Sequence, residues 1–526
     1  MLLVGKLLKE TIKQGQLRRR DLSVKHHLKI KEQQEVLQDL IRDARNTVFA
    51  KRYNLLPQTK GEQCEDQLRN KVPLYKYESF YNEWLHRTIN GESNIISAGK
   101  TQHFALSSGT TNDSSKRIPV SDKMVRHFQK VTLKQILDLG ALNLPDTFYN
   151  SKVLTVGGST KLKKVNEHFE GDLSGILAKN KSFALTPFAR PKKKISNLSD
   201  WNEKLQAMVE SAPKWNIGVI AGVPSWVCLL METIIKHYEL NNIHEMWPNL
   251  SLYLHGGIFL EPYQERLDKC LGRGILYQNT YLASEGYIAY QREIPSDGME
   301  LLTSNGIYFE FIEERYFEDV KNNELQHIPT LKLSQVENDK PYAIVITTCS
   351  GLWRYILGDV IAFTDINTCK MKILGRISSS LNLLGEHLSE GNMLAAIQET
   401  ARQLQINVEE FCVYPAPSKD RHNWYIGSNQ RIDTNKFSVL LNEKLVQLND
   451  DYATVRKHLL KAPKIKTLPV QKFYEYLEFK KKLGGQHKFP RVMNSLQAKE
   501  WERFLTSTDY LFEDQSSLAP INESTK

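Results

Sequence analysis

The 526 residues, 41% hydrophobic and 10% aromatic, are too many for one compact core and too apolar for a disordered chain, so about two to four globular domains are expected. Lys and Arg number 70 against 60 Asp and Glu, and the resulting charge of +10 suits nucleic acid, an anionic membrane or a phosphate-bearing small molecule without choosing among them. No run approaches the ~18 uninterrupted apolar residues of a spanning helix, and the apolar start Met1-Leu2-Leu3-Val4 is broken at Lys6, so a cytoplasmic protein without a transmembrane segment is expected.

Residues 1 to 50 carry Leu3, Leu7 and Leu8, then Val36, Leu37, Leu40 and Ile41, at spacings of three and four, which predicts two helices. The first holds Lys6, Lys9, Lys13 and Arg18-Arg19-Arg20; docking of its apolar face on the protein's own core is favoured over an anionic membrane. From about 103 to 375, β-rich runs such as Lys152 to Val156, Ile217 to Ile220 and Ala343 to Thr347 alternate with helical stretches such as Leu205 to Glu210 and Val227 to Tyr238. That alternation predicts an α/β domain with a largely buried sheet. Past Arg376 the texture changes. Met393 to Leu404 and Lys436 to Leu448 read as helices, Phe411 to Tyr414 and Trp424 to Ile426 as strands, and a smaller mobile α+β domain over 379–526 is expected after a large one over 1–378. The six cysteines are scattered without a CxxC pair and read as reduced thiols, mostly buried.

Gly99-Lys100-Thr101 imitates the end of a Walker loop, but Asn94 stands where that loop needs glycine. The next segment, Phe104-Ala105-Leu106-Ser107-Ser108-Gly109-Thr110-Thr111-Asn112-Asp113-Ser114-Ser115-Lys116, is a strand-like start running into a hydroxyl-rich loop that ends on lysine. Backbone N–H groups, hydroxyls and an ammonium together are what a polyphosphate requires. Tyr281-Leu282-Ala283-Ser284-Glu285-Gly286 places an aromatic ring, a hydroxyl and a carboxylate within five residues, suited to a base, a phosphate and Mg2+. Gly351-Leu352-Trp353-Arg354-Tyr355-Ile356-Leu357-Gly358-Asp359-Val360 ends in a Gly-Asp able to accept both hydroxyls of a ribose. No G-x-S-x-G elbow, H-E-x-x-H or G-x-G-x-x-G accompanies them.

In this order, and followed by Leu374-Gly375-Arg376, the motifs resemble the adenylate-forming superfamily, and more narrowly the auxin-responsive acyl-acid amido synthetases in the form found in bacteria. Asn46 to Ala50, Arg117-Ile118-Pro119-Val120, Gly171 to Ser174, Gly222-Val223-Pro224-Ser225-Trp226, Trp247 to Leu250, His255-Gly256-Gly257 and Tyr308 to Phe311 extend the resemblance over roughly residues 35 to 500. It implies a two-step ligation in which ATP adenylates a small carboxylic acid, releasing pyrophosphate, and an amino acid amine then displaces AMP. It further implies that Ser107, Ser108, Gly109, Thr110, Thr111 and Lys116 hold the phosphates, that Ser284 and Glu285 meet the α-phosphate and Mg2+, that Tyr281 packs on the adenine, and that Asp359 binds the ribose. Arg376 falls just before the interdomain hinge, and Lys488, in Gly484-Gly485-Gln486-His487-Lys488, matches the lysine that swings into the site. Relatives carry Gly-Glu-Glu and Glu-Asn after the hinge, where this chain has Gly385-Glu386-His387 and Gly391-Asn392, which leaves the acceptor amine open.

Val223, Trp226 and His255, with Pro224 and Ser225, follow strand-like runs and are expected to line the acyl pocket. A second reading keeps the adenylation and passes the acyl group to coenzyme A. A third, remote reading is a non-catalytic nucleic-acid-binding protein using Lys192-Lys193-Lys194 and Lys480-Lys481-Lys482, but no nucleic-acid motif accompanies those runs and no nucleic acid is expected as partner. A monomer is expected.

Overall fold

The computed structural model describes residues 2–20, 26–107, 116–180, 183–384, 386, 388–418, 420–480 and 489–507. They form two compact units, one drawn from the described residues up to Ser378 and one from those after it. Among the described residues no helix is long and apolar enough to cross a membrane. None of the six cysteines forms a disulfide, and five of them are buried.

The large unit is built on an eleven-stranded mixed sheet. Its parallel half contains Lys152–Val156, Ile217–Gly222, Leu252–Gly256 and Leu276–Ala283 as adjacent strands. Helices cover this half: Pro224–His237 contributes Trp226, Leu230, Met231 and Ile234 to a core shared with Met208 and Val209 of Trp201–Ser211 and with Leu154, Ile220 and Tyr253 of the strands. The other half is antiparallel and contains Gly286–Tyr290, Met299–Leu301, Lys370–Arg376, Tyr355–Asp365, Pro341–Thr348 and Ile307–Glu313 in that order. A separate four-stranded sheet pairs His103–Ser107 with Lys116–Val120 on one side and His168–Gly171 on the other.

The predicted N-terminal helices are Leu2–Arg20 and His26–Ala44. The second lies against Ile307–Glu313, and its buried Gln33 satisfies the main chain there. Its amide nitrogen donates to the carbonyls of Thr303 at 2.7 Å and Ile307 at 2.9 Å, and its oxygen accepts the Phe309 N–H at 2.8 Å. The first helix docks on the large unit, with Leu8 and Ile12 against the cluster around Leu144 and Phe148, and with Lys9 paired to Asp146 at 2.8 Å.

The smaller unit is α+β. Glu410–Pro415 pairs antiparallel with His422–Gly427, which pairs parallel with Lys464–Leu468. Helices Glu390–Leu404, Thr434–Leu448, Val470–Phe479 and Ser495–Ser507 pack with this sheet around Trp424, Phe473 and Trp501.

Candidate active site

The two ends of the predicted phosphate loop are cross-strand partners. Ser107 ends its strand, Lys116 begins the next, and the two face each other in the antiparallel ladder. Ser108, Gly109, Thr110 and Thr111 lie outside the described residues. The Lys116 ammonium stands 5.2 Å from the centre of the Tyr77 ring, and the Tyr77 hydroxyl accepts the Arg117 N–H at 2.8 Å. Burial lowers the Lys116 pKa, while the carboxylates of Glu78 and Glu285 oppose that shift.

Ser284 and Glu285 form a two-residue turn between Leu276–Ala283 and Gly286–Tyr290, with Ala283 paired to Gly286. Turns of this kind are ordinarily wet. Here both residues are only 8% exposed. Burial raises the Glu285 pKa, opposed by a backbone hydrogen bond and by the positive charges of Arg376 and Lys116, while Asp359 adds to the rise.

Asp359 projects from an irregular stretch of its strand. Val345 pairs with Ile356 and Ala343 with Val360, so Leu357, Gly358 and Asp359 bulge opposite Ile344. Gly358 takes φ +87°, a left-handed conformation that suits glycine. On the other side Asp359 pairs in register with Arg376, whose Nε lies 2.6 Å from Oδ1. The Tyr281 hydroxyl donates to Oδ2. The Asp359 charge pushes the Arg376 pKa up, and burial followed by Asp359 pushes Tyr281 well above its ordinary value. Two carboxylate oxygens offer about four acceptor positions, so two of them remain for a diol.

The structure therefore brings Lys116, Tyr281, Glu285, Asp359 and Arg376 into one electrostatic neighbourhood. Sequence reasoning left Tyr355 and Tyr77 out of this group. Tyr355 belongs to the quoted Gly-Leu-Trp-Arg motif, is buried, and feels the charges of Glu285 and Arg376; Tyr77 has no motif around it.

Arg354 of the same motif is turned into the core. Its guanidinium makes a forked pair with Glu310, with nitrogen–oxygen distances of 3.0 to 3.2 Å, and donates to the carbonyls of Val72 at 2.6 Å and Arg69 at 3.1 Å. Trp353 stacks on Phe49 with ring centres 5.1 Å apart and donates to the Ile96 carbonyl at 2.9 Å. Thr47 caps the helix that carries Phe49, so Asn46 to Ala50 supports the motif. The Walker imitation is a closed turn: the Asn94 side chain accepts the Gly99 N–H at 2.7 Å, and Lys100 is paired with Glu167.

The acyl candidates separate. His255 and Val223 stand at the carboxyl ends of parallel strands, with His255 paired to Gly222 and to Asn279. Ligands of open α/β sheets gather at that edge. His255 is buried, which pushes its pKa down to about 4, so the ring is neutral. Gly256 is required beside it, because a Cβ there would collide with the Thr280 carbonyl. Trp226, by contrast, lies within the core behind the sheet, 4.8 Å from the ring centre of Trp201.

Lys488, Gly385 and His387 lie outside the described residues. Glu386 is fully buried, accepts the N–H groups of Leu383 and Leu384 at 2.8 Å each, and meets His422 Nε2 at 2.7 Å. Burial pushes this carboxyl up, but the His422 and backbone hydrogen bonds outweigh it and leave the pKa at about 2.

Among the described residues no three His, Cys, Asp or Glu side chains cluster to hold a metal. The turn offers one buried carboxylate, Glu285, and Mg2+ carried mainly by phosphate oxygens and water asks no more of the protein.

Comparison with solved structures gives the fold independently. The chain superposes on the GH3.15 acyl acid amido synthetase with a TM-score of 0.73 at 17% identity, over 90% of this chain and 93% of that one. It superposes on a 2-hydroxyisobutyryl-CoA ligase with a TM-score of 0.59 at 12% identity, over 90% and 91%. In sequence it is 22% identical over 436 residues to the indole-3-acetic acid-amido synthetase GH3.4 of Arabidopsis thaliana, covering 71% of each. It is 28% identical over 279 residues to the jasmonoyl-L-amino acid synthetase GH3.5 of Oryza sativa subsp. japonica, covering 49% of this chain and 48% of that one. The GH3 family N-terminal domain matches residues 24–161, the central domain 300–376 and the C-terminal domain 391–497. With all three domains present in order over more than half its length, the chain belongs to the GH3 family.

Proposed function

We propose that this protein is an ATP-dependent, AMP-forming acyl-acid amido synthetase that joins a small carboxylic acid to the amine of an amino acid, acting as a cytoplasmic monomer. The buried Ser284-Glu285 turn, set among Lys116, Arg376 and Asp359, carries the reading: a carboxylate and a hydroxyl are kept from water beside two cations, where a triphosphate and its metal have use for them. The large unit holds ATP and the acid, and the smaller unit acts as the lid.

In the first step a carboxylate oxygen of the acid attacks the α-phosphorus, the bond to the bridging oxygen breaks, and pyrophosphate leaves with its electrons. Lys116 and Arg376 neutralise charge on the phosphates, Asp359 accepts from the ribose hydroxyls, and Tyr281 packs on the base while holding the Asp359 carboxylate. Ser107 to Thr111 contribute hydroxyls and N–H groups to the phosphates. Mg2+, held by Glu285 and phosphate oxygens, supplies further neutralisation of the triphosphate when bound. In the second step the amine nitrogen attacks the acyl carbonyl, the carbon–oxygen bond to AMP breaks, and the amine loses a proton. Lys488 serves the first of these steps.

The relatives named above act on indole-3-acetic acid and jasmonic acid, and a GH3.15 structure holds 2,4-DB, so these acids head the substrate panel. The test is exchange of labelled pyrophosphate into ATP with a panel of aryl, indolyl and alkyl carboxylates, in wild type and in Asp359→Ala and Glu285→Ala. Exchange should fall at least about 100-fold in each variant, the loss typical of a deleted charge-stabilising group. Wild-type exchange in either variant contradicts the site. Transfer to coenzyme A is the second reading; AMP release that requires coenzyme A and never an amino acid would establish it.

A further inference from the structure

The large unit holds a buried lysine for which the nucleotide site has no use. Lys204, on the helix Trp201–Ser211, is 3% exposed. Its ammonium donates to the carbonyl oxygens of Gly157 at 2.9 Å, Gly158 at 2.5 Å and Ser196 at 3.1 Å. An ammonium has three hydrogens and no acceptor, so this cradle uses all of it. Buried lysines ordinarily answer a carboxylate directly, whereas this one is spent on main chain.

The loop it grips has a particular place. Gly157 directly follows Lys152–Val156, Val156 pairs with Gly222, and Gly222 pairs with His255. The loop thus stands next to Val223 at the carboxyl edge of the parallel strands. It is fastened a second time: Thr160 N–H donates to the Ser196 carbonyl at 2.8 Å, and Thr160 Oγ1 bonds Ser196 Oγ and Asn197 Oδ1, both at 2.8 Å. A Cβ added at Gly157 would meet no atom within 4 Å. Its carbonyl is therefore held by Lys204 while its Cα borders open space.

We propose that Lys204 is a positioning residue that fixes the Gly157-Gly158 loop as a wall of the acyl-acid site, and that the missing side chain at Gly157 sets the size of carboxylic acid admitted. This rests on the reading of the sheet's carboxyl edge around Val223 and His255 as the acyl end. A side chain at Gly157 would extend into the space that the acid's ring or chain occupies. Loss of the Lys204 donors would strip the Gly157 and Gly158 carbonyls of the ammonium and leave Ser196 with the Thr160 N–H alone, letting the wall move without touching the phosphates.

The experiment uses the full chain and pyrophosphate exchange with benzoic, 2,4-dichlorophenoxybutyric, jasmonic and indole-3-acetic acids. Gly157→Val should lower kcat/KM for the bulkiest accepted acid about tenfold more than for the smallest, with the KM for ATP unchanged within about twofold. Lys204→Met should raise the KM for the acid about tenfold with kcat at saturating acid within about threefold of wild type, and Lys204→Arg, which keeps the donors, should restore most of it. Hydrogen exchange at the Thr160 amide should speed up in Lys204→Met and not in Lys204→Arg. A uniform loss across all acids in Gly157→Val, or an unchanged acid KM in Lys204→Met with faster amide exchange, overturns the proposal. If Lys204→Met fails to fold, Gly157→Val decides the wall, and Lys204→Gln, a milder loss of the same donors, decides the clamp by the same two readouts. Wild type that exchanges with no acid in the panel defeats the enzymatic reading instead, and an unchanged Thr160 amide would then defeat the clamp on its own.

Discussion

Arg354 sits five residues before Asp359 in the strongest nucleotide motif of the chain, yet its guanidinium belongs to the core, and replacing it tests which role is real. Arg354→Met removes the forked partner of Glu310, a carboxylate 1% exposed that would keep only the Thr330 hydroxyl, 2.6 Å away, as donor. It also strips the carbonyls of Val72 and Arg69 of a donor each. Breaking a buried ion pair from one side costs about 3–5 kcal/mol, because a charge is left without compensation. Removing both charges in Arg354→Met/Glu310→Met should therefore cost at least about 2 kcal/mol less than the sum of the single changes, the excess being the coupling between the two sites. Urea denaturation followed by tryptophan fluorescence reports it, with Trp353 as an adjacent probe. Additive single effects, or full stability of Arg354→Met combined with loss of pyrophosphate exchange, would refute the structural assignment and return Arg354 to the nucleotide.

Two further outcomes follow from the structure. Glu386 drops from the ordinary 4.5 to about 2 on folding, so its contribution of about 3 kcal/mol is present above pH 4.5 and is lost as pH falls toward 2. The stability gap between wild type and Glu386→Gln, measured by urea denaturation of the smaller unit from pH 6 to pH 2.5, should shrink with falling pH; a constant gap would count against the Glu386–His422 pair as its source. Gly256→Ala forces a methyl against the Thr280 carbonyl and should destabilise the large unit by about 1–3 kcal/mol while raising the KM for the acid, which melting and exchange assays read separately.

Much of the fold could be read in the chain because it is written in local periods. The run Lys152 to Val156 is a strand with the expected limits, and the leucine spacing near the start marks both helices. The nucleotide group was legible for a different reason: phosphate, metal and ribose each demand a narrow set of side chains close together in sequence. What could not be read is what depends on distant partners. Lys204 looks like any solvated lysine on an amphipathic helix until the Gly157 and Gly158 carbonyls are brought over it. Trp226 follows a strand as a pocket residue would, but helical phase turns it toward Trp201. Arg354 shares a motif with Asp359, and only the left-handed backbone at φ +42° together with the Glu310 partner reveals that it faces inward.

The contacts of the helix His26–Ala44 and of Phe49 also bear on how the protein comes to be folded. Gln33 is answered by Thr303, Ile307 and Phe309, and Phe49 by Trp353, partners more than 250 residues later in the chain. At about 5–20 residues per second a ribosome would need about 15–60 s to supply them. Throughout that interval the face of His26–Ala44 that carries Gln33 and the side of Phe49 that stacks on Trp353 have no native partner, so this part of the large unit cannot be completed as it emerges. Its assembly waits on the central domain, with the slow, non-local search that such topology imposes.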